Sequence, residues 1–499
     1  MTEASRKRRR VAFGSADCLN LRVYERARID SIEGFLRRGL PYSRKLTAHT
    51  SCVNALALSS DGGRWIASAG DDLRVLLWDF HQEDVVTPSG SFLGPTSNVF
   101  TVEFSANNRY LYVGDTDNNI YKYDLSELHN ATGAANAGLP CDAIRCHHDS
   151  VRSISCHPWQ DEVFLSASED GTTVLHDGRD GSSTRAQATL FNNSEFSDVK
   201  WHPGMEHIFA TSDSKGWVCL RDTRMAFGPL SHRHKNGVVQ TYNTTIAKSN
   251  WCSRPDISSI TFDRSGMKLG VLFLHHLPTI YSITDENPLA ICSSRRLPVE
   301  GPAQPSSSAG MYFNSCTIKH ASFGGLGLQD DSYYATGSDD FRAYVWKIPD
   351  ITQLRCMREE ISFNQSEMQG GVHPPAFADN ANKKIYMPVE LSTPFTRLCG
   401  HQSIVNSALL HPHIPILLTA GIERNIILHS ATPNSPCFQD LTETDTSVRR
   451  LYELLDVTGE DRETLALFDH LLGRQGEIDP FDMRSWALGT DPEDDDEED

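Results

Sequence analysis

Two distant segments of the chain share one alternation of apolar and polar positions. Residues 64–80 (RWIASAGDDLRVLLWDF) and 333–348 (YYATGSDDFRAYVWKI) each contain an apolar run, two small residues, an Asp–Asp pair and a second apolar run that contains a tryptophan near its end. In the first segment Asp72 precedes Trp78 by six residues, and the second segment repeats this offset. Short apolar runs bounded by turn residues predict two buried β-strands joined by a tight turn.

The same pattern occurs seven times along the chain. The five weaker copies occupy residues 110–125, 163–178, 208–223, 269–284 and 416–430. Each copy has a further strand before it and another after it. Seven units of four short strands predict an all-β, seven-bladed β-propeller. The last unit has only three strands before Ser430, so residues 43–47 (SRKLT) are predicted to supply its fourth strand and close the ring.

The repeating unit resembles the WD repeat of β-propeller proteins. The chain contains the Gly–His pair of that repeat at Gly400–His401 and its Trp–Asp pair at Trp78–Asp79. The resemblance implies that a loop His, a strand hydroxyl, a turn Asp and the Trp form a hydrogen-bond relay, which allows a carboxylate to be buried. In the first unit these residues are His49, Ser68, Asp72 and Trp78. The relay positions predicted in other units are Asp117, Asp170, Asp340, Trp346 and His401.

The predicted propeller covers residues 43–430 and contains three inserts. The inserts are residues 225–255, 285–310 and 351–395, and they lengthen the spacing between successive units. Inserts in propellers extend loops on the faces, where partners bind. Neutral variation of surface loops is the alternative for each insert.

The two ends of the chain carry signals outside the propeller. Residues 1–42 combine the basic run SRKRRR with a predicted amphipathic helix over 19–40, whose apolar side docks on the propeller or enters a groove of a partner. The basic run is either a nuclear import signal or a solvated tail, so the predicted location is the nucleus and/or the cytoplasm. Residues 431–490 are predicted to form a helical C-terminal extension, and the acidic residues 491–499 a disordered tail.

A second short pattern lies where the third strands of units three and four end. The segment VLHDGR ends with Asp177 and Arg179, and 45 residues later CLRDTR repeats the spacing with Asp222 and Arg224. An arginine at this place projects from the rim of one face, where its planar guanidinium can form paired hydrogen bonds with carboxylates or carbonyls of a partner. The alternative is a salt bridge within each blade that involves no partner.

These Asp–x–Arg boxes resemble the Trp–Asp–x–Arg box of the substrate receptors of cullin-4–RING ubiquitin ligases. Residues 52–78, 312–323, 337–349 and 400–412 are similar to the factor 5-like branch of the damaged-DNA-binding-protein-1- and cullin-4-associated factor family.

The resemblance implies that Arg179 and Arg224 hold the damaged-DNA-binding-protein-1 adaptor of a cullin-4–RING ligase, with help from the helix ahead of the first blade. Another surface would then bind a protein substrate of unknown identity. His176 and Arg221 stand where the family has tryptophan. This difference leaves open whether both boxes bind the adaptor.

Composition excludes several other classes of protein. The net charge of −19, of which eight charges lie in the last nine residues, argues against direct nucleic-acid binding. No apolar run reaches the length of a membrane span. The 12 cysteines are scattered without zinc-site spacing, so we expect reduced thiols and neither metal nor cofactor.

Two other functions compete with the ligase receptor. An enzyme is disfavoured, because the chain has no nucleophile elbow, zinc-protease motif or phosphate-binding loop. The second rival is an interaction scaffold that binds a basic or histone-like peptide at the channel mouth, or organises a complex, without docking on a ligase. A scaffold would keep its main partner when Arg179 and Arg224 are truncated.

Overall fold

Seven antiparallel sheets surround a central channel in the part of the chain that the structure describes. The computed structural model describes residues 15–126, 137–179, 188–227, 234–248, 251–294, 311–362, 375–435 and 437–446. The first strands of consecutive blades contact one another, and those of blades 7 and 1 complete the circle. The predicted all-β propeller is therefore confirmed.

Each blade contains four antiparallel strands, numbered from the first, which lines the channel, outward to the fourth. The strands are Val53–Leu58, Trp65–Gly70, Val75–Asp79 and Gly90–Phe92 in blade 1; Val99–Phe104, Tyr110–Asp115, Asn119–Asp124 and Asp142–Arg145 in blade 2; Val151–Cys156, Val163–Ser168, Thr172–Asp177 and Ala188–Phe191 in blade 3; and Phe196–Trp201, Ile208–Asp213, Val218–Asp222 and Val238–Thr241 in blade 4. They are Ile257–Phe262, Lys268–Phe273, Thr279–Ser282 and Asp285–Cys292 in blade 5; Ala321–Gly324, Tyr333–Gly337, Ala343–Lys347 and Thr396–Leu398 in blade 6; and Val405–Leu410, Ile416–Gly421, Ile426–Ser430 and Tyr42–Leu46 in blade 7. Short strands Ala137–Gly138, Val389–Leu391 and Thr442–Glu443 extend blades 1, 5 and 7.

The N-terminal strand closes the ring. Tyr42–Leu46 pairs antiparallel with Ile426–Ser430, so one blade is built from both ends of the propeller. Strands inside the blades are covered on both sides, which explains why runs such as Val75–Asp79 are buried throughout.

Parts of the first and third predicted inserts meet in an additional five-stranded sheet, here called the insert sheet. Its strands are Ile246–Lys248, Trp251–Ser253, Glu359–Ser362, Phe377–Asp379 and Lys384–Met387. Arg358 fixes the sheet to blade 5, because its Nη1 donates to Asp285 Oδ2 at 3.0 Å and to the Asn287 carbonyl at 3.3 Å. Phe377 packs beside Ile246 of the insert sheet and beside Ile291 of blade 5.

Two of the predicted inserts require a correction. The first contains Val238–Thr241, which is the fourth strand of blade 4 and pairs with Val218–Asp222. The second also contains a blade strand. Its first residues, Asp285–Cys292, form the fourth strand of blade 5 and pair with Thr279–Ser282. The apolar residues at its end are buried, as in any other blade strand. Residues 295–310 lie outside the described residues.

The N-terminal helix runs from Ser15 to Leu36. Leu36 is fully buried among residues of blades 6 and 7, and Ile32 packs against the same cluster. Arg28 donates to the Gly327 carbonyl at 2.8 Å, and Glu33 forms an ion pair with Lys347 at 2.5 Å.

The remaining helices in the described ranges are short: Thr223–Ala226, Ile351–Met357 and the 3-10 turn Lys235–Gly237. Within those ranges, no helix is both long enough and apolar enough to cross a membrane. The basic run at 5–10, residues 447–490 of the predicted helical extension and the acidic tail lie outside the described residues. The described start of that extension is not helical, because Thr442–Glu443 forms a short strand that pairs with Tyr42–Leu46 at the edge of blade 7.

Candidate functional site

The four predicted relay residues of blade 1 form one continuous hydrogen-bond chain. His49 Nδ1–H donates to Asp72 Oδ2 at 2.9 Å, and the Ser68 hydroxyl donates to His49 Nε2 at 2.8 Å. Trp78 Nε1–H then donates to Ser68 Oγ at 3.0 Å. Burial of Asp72 acts to raise its pKa, but the hydrogen bonds from His49 and from the backbone of Thr50 lower it overall.

Blade 3 contains the same hydrogen-bond relay, with a histidine in the position that tryptophan occupies in blade 1. His147 Nδ1 lies 3.3 Å from Asp170 Oδ2, and its Nε2 accepts from Ser166 Oγ at 2.7 Å. His176 Nε2–H donates to Ser166 Oγ at 2.9 Å, and its ring stacks on Phe164 at 4.2 Å. Burial lowers the pKa of His176 to about 3, so the ring is neutral at neutral pH.

Blade 7 uses the same substitution. His401 Nε2 accepts from Thr419 Oγ1 at 2.7 Å, and His429 Nε2–H donates to Thr419 Oγ1 at 3.0 Å. Glu423 replaces the relay aspartate, with its Oε2 3.5 Å from His401 Nδ1. Burial lowers the pKa of His429 to about 3.

In blade 4 an arginine occupies the tryptophan position. Arg221 is almost completely buried, and its Nε–H donates to Thr211 Oγ1 at 2.9 Å while Nη1 donates to the Asn236 carbonyl at 2.7 Å. The residues at this position in blades 1, 3, 4 and 7 thus all supply an N–H group to a hydroxyl on the second strand. The replacements of tryptophan therefore keep the hydrogen bond inside the blade.

Three predicted relay residues do not take that role in the structure: Asp117 in blade 2, and Asp340 and Trp346 in blade 6. In blade 2 Asp117 is exposed, and Asp115, which is fully buried, accepts from Tyr121 OH at 3.1 Å and from the Asn119 backbone at 2.9 Å. The carboxylate comes from the end of the second strand instead of the turn. The repeat pattern pointed to Asp117 because it places the carboxylate six residues before the aromatic position, which is Tyr123 in this blade. Asp213 occupies the place in blade 4 that matches Asp115.

In blade 6 the two predicted relay residues are not connected. Asp340 accepts from Tyr344 OH at 2.7 Å and from Arg342 Nη1 at 2.9 Å, and burial raises its pKa. Trp346 Nε1–H instead donates to the Ser293 carbonyl at 2.8 Å. None of these contacts involves a histidine, so the hydrogen-bond chain of blade 1 is not repeated here.

The first Asp–x–Arg box lies at the end of the third strand of blade 3. Arg179 Nε donates to Asp177 Oδ1 at 2.7 Å and its Nη2 donates to Oδ2, so the contact uses both carboxylate oxygens. The hydrogen bond from Arg179 lowers the pKa of Asp177. The Arg179 side chain remains 56% exposed.

The second box has the same geometry in blade 4. Arg224 Nε and Nη2 donate to Asp222 Oδ1 and Oδ2 at 3.1 and 2.6 Å, and the Arg224 side chain is 68% exposed. Asp222 also caps the short helix Thr223–Ala226. Both predicted salt bridges within the blades exist, and both leave most of the arginine exposed. Exposed ion pairs contribute little to stability, because solvent screens both charges.

Both boxes lie on one face of the propeller, here called the box face. Asp177 pairs with Val163 and Asp222 with Ile208, which places each box beside the turn between the first two strands of its blade. Similar strand-end pairs occur in blade 1, where Arg64 contacts Asp79 through both oxygens at 3.1 and 2.9 Å.

The N-terminal helix is also on the box face, because Gly327 belongs to the corresponding turn of blade 6. Its side chains Val23, Tyr24, Ile29 and Phe35 are 66%, 75%, 41% and 61% exposed. The sequence left open whether the helix docks on its own propeller or on a partner. In the structure its last turn packs on the propeller through Leu36, while these four apolar side chains are exposed to solvent.

Comparison with known proteins identifies similar chains. The WD domain, G-beta repeat family matches residues 41–79 and 86–124. DDB1- and CUL4-associated factor 5 from Mus musculus is 28% identical over 402 residues, which are 80% of this chain and 35% of that protein. The Homo sapiens protein of the same name gives the same values. Protein ALTERED SEED GERMINATION 2 from Arabidopsis thaliana is 32% identical over 150 residues, 30% of this chain and 19% of that protein. The chain spans about a third of the length of the first two relatives.

Proposed function

Because the chain is a WD-repeat protein similar to DDB1- and CUL4-associated factor 5, we propose that it is a non-catalytic substrate receptor of a cullin-4–RING ubiquitin ligase. The observation that carries the proposal is the pair of exposed arginines, Arg179 and Arg224, on adjacent blades of one face. The partner they would hold is the damaged-DNA-binding-protein-1 adaptor.

The aspartates make these arginines suitable for binding. Each carboxylate engages Nε and Nη2 of its arginine, which fixes the plane of the guanidinium at the rim. A side chain that is already ordered loses less conformational entropy when a partner binds. Carboxylates and backbone carbonyls of the adaptor are the groups that a fixed guanidinium binds best.

The N-terminal helix supplies a second contact in this proposal. Its last turn is anchored by Leu36 and by the Glu33–Lys347 ion pair, so the helix leaves the propeller in a defined direction. Its exposed apolar side chains, such as Tyr24 and Phe35, match the requirements for insertion into a groove of the adaptor.

The protein would catalyse no reaction itself in this account. It would raise the effective concentration of a protein substrate near the ubiquitin-loaded enzyme. The insert sheet and the opposite face remain available for that substrate, whose identity is unknown.

An interaction scaffold is the second candidate. On the face opposite the boxes, the channel opens into a cavity of about 510 Å³ lined by Asp71, Asp256 and Phe100 among others. Carboxylates beside an aromatic ring suit a cationic peptide segment. Such a scaffold would function without the box arginines.

A titration of the purified full-length chain against the purified adaptor tests the proposal. Arg224→Ala should weaken binding roughly tenfold, and Arg179→Ala/Arg224→Ala by more, because arginine is one of the residue types enriched among the side chains that dominate binding energy. Arg64→Ala is the matched control, since Arg64 forms the same paired contact with Asp79 two blades away. Equal affinities of wild type and double variant would contradict the proposal.

A further inference from the structure

Two large apolar side chains are exposed on the box face, on the turns beside the two boxes. Trp159 is 53% exposed on the turn between the first two strands of blade 3, and Met205 is 39% exposed on the equivalent turn of blade 4. Exposed tryptophans are costly to leave in water, because the indole ring carries a large apolar area. Neither side chain takes part in the relays or the boxes.

Each turn is joined to the box of its own blade. The Gly178 backbone N–H, inside the first box, donates to the Glu162 carbonyl at 3.0 Å, at the end of the turn that carries Trp159. The Thr223 backbone N–H, inside the second box, donates to the His207 carbonyl at 2.8 Å, at the end of the turn that carries Met205. The apolar residues and the arginines are therefore parts of the same two local structures.

The two turns are also joined to each other by packed rings. His157 accepts from the Trp159 backbone N–H at 3.1 Å, and its ring contacts the Trp159 ring edge-on at 5.6 Å. The same imidazole contacts Trp201 at 4.6 Å, and Trp201 Nε1–H donates to the Glu206 carbonyl at 2.8 Å, next to Met205. The packing is consequently continuous across the boundary between blades 3 and 4.

From this continuity we infer that Trp159 and Met205 form the apolar centre of the adaptor-binding surface, with Arg179 and Arg224 at its edges. This inference rests on the proposed function. An apolar centre flanked by charged groups is the usual arrangement of a protein interface, and tryptophan and arginine are the residues that contribute most to binding. The partner must therefore present an apolar pocket for an indole ring, with carboxylate or carbonyl oxygens on two sides of it.

The experiment is a titration of the full-length chain with the purified adaptor, comparing wild type, Trp159→Ala, Met205→Ala and Arg179→Ala/Arg224→Ala. Trp217→Ala is the matched control, because Trp217 is 40% exposed but lies on the turn between the second and third strands of blade 4, at the opposite face. Thermal unfolding of each variant, measured in parallel, identifies any loss of folding.

We expect Trp159→Ala to weaken binding roughly tenfold or more, and Met205→Ala by a smaller factor, with Trp217→Ala equal to wild type. If the double arginine variant loses binding while Trp159→Ala and Met205→Ala stay within about twofold of wild type, the inference is wrong and the proposed function stands. If the wild-type chain does not bind the adaptor at all, both are wrong. A folded Trp159→Phe variant with intermediate affinity would further support an indole-shaped pocket.

Discussion

The histidine in the tryptophan position of blade 3 should make the propeller sensitive to acid. We predict that His176→Trp removes part of this sensitivity, because an indole N–H can still donate to Ser166 Oγ and does not titrate. The observation behind the prediction is that burial, with a smaller contribution from His147, lowers the pKa of His176 to about 3. The equivalent position of blade 1 already accommodates Trp78 without exposure.

The magnitude follows from the pKa difference between the folded and unfolded chain. An unfolded histidine has a pKa of about 6.5, so below that pH the unfolded chain binds a proton that folded His176 does not bind until about pH 3. The free energy of unfolding therefore falls as the pH is lowered through this window. Between pH 8 and pH 5 a single histidine of this kind lowers the free energy of unfolding by about 2 kcal/mol.

The assay is urea unfolding of the full-length chain at pH 8 and pH 5, followed by circular dichroism. The decrease in unfolding free energy between the two pH values should be about 2 kcal/mol smaller for His176→Trp than for wild type. His148→Gln, a change at an exposed neighbouring histidine, controls for loss of a histidine in general. An identical pH dependence for wild type and a folded His176→Trp variant would refute the reasoning.

Three further predictions concern the relays and the insert sheet. Ser68→Ala should lower the unfolding free energy by about 2–4 kcal/mol in urea titrations, because it leaves two buried ring nitrogens without a partner; a loss below 1 kcal/mol would contradict the relay. In the same assay Asp115→Ala should lower the unfolding free energy by about 3 kcal/mol, and Asp117→Ala should lower it by less than about 0.5 kcal/mol. A larger loss for Asp117→Ala would show that the carboxylate in the turn is the structural one. Arg358→Ala should increase hydrogen exchange in Lys384–Met387 while leaving blade strands protected; unchanged exchange would mean that the arginine does not hold the insert sheet.

Much of the fold could be predicted from local patterns. Strands covered on both sides are apolar along their length, and the offset between Asp72 and Trp78 is short enough to be recognised in one segment. The ring closure by Tyr42–Leu46 could also be inferred, because a blade with three strands leaves an open edge that needs a partner.

The remaining features depend on contacts that no local pattern records. The insert sheet joins Ile246–Lys248 to Phe377–Asp379, segments more than 100 residues apart, through a single pair of strands. The role of Arg221 requires knowing that it points into the blade, where its N–H replaces that of tryptophan. The role of Asp115 could not be predicted from the sequence, because a carboxylate on either side of the turn can reach the same loop.

In the proposed function, two aspartate-held arginines attach this propeller to a ubiquitin ligase. The most direct measurement is an affinity pull-down of the tagged full-length chain from cells, wild type beside Arg179→Ala/Arg224→Ala, probed for the damaged-DNA-binding-protein-1 adaptor and cullin-4. We expect both proteins to be recovered with wild type and to be lost with the double variant. Recovery that is equal for the two chains, or absent from both, would show that the arginines do not attach the propeller to the ligase.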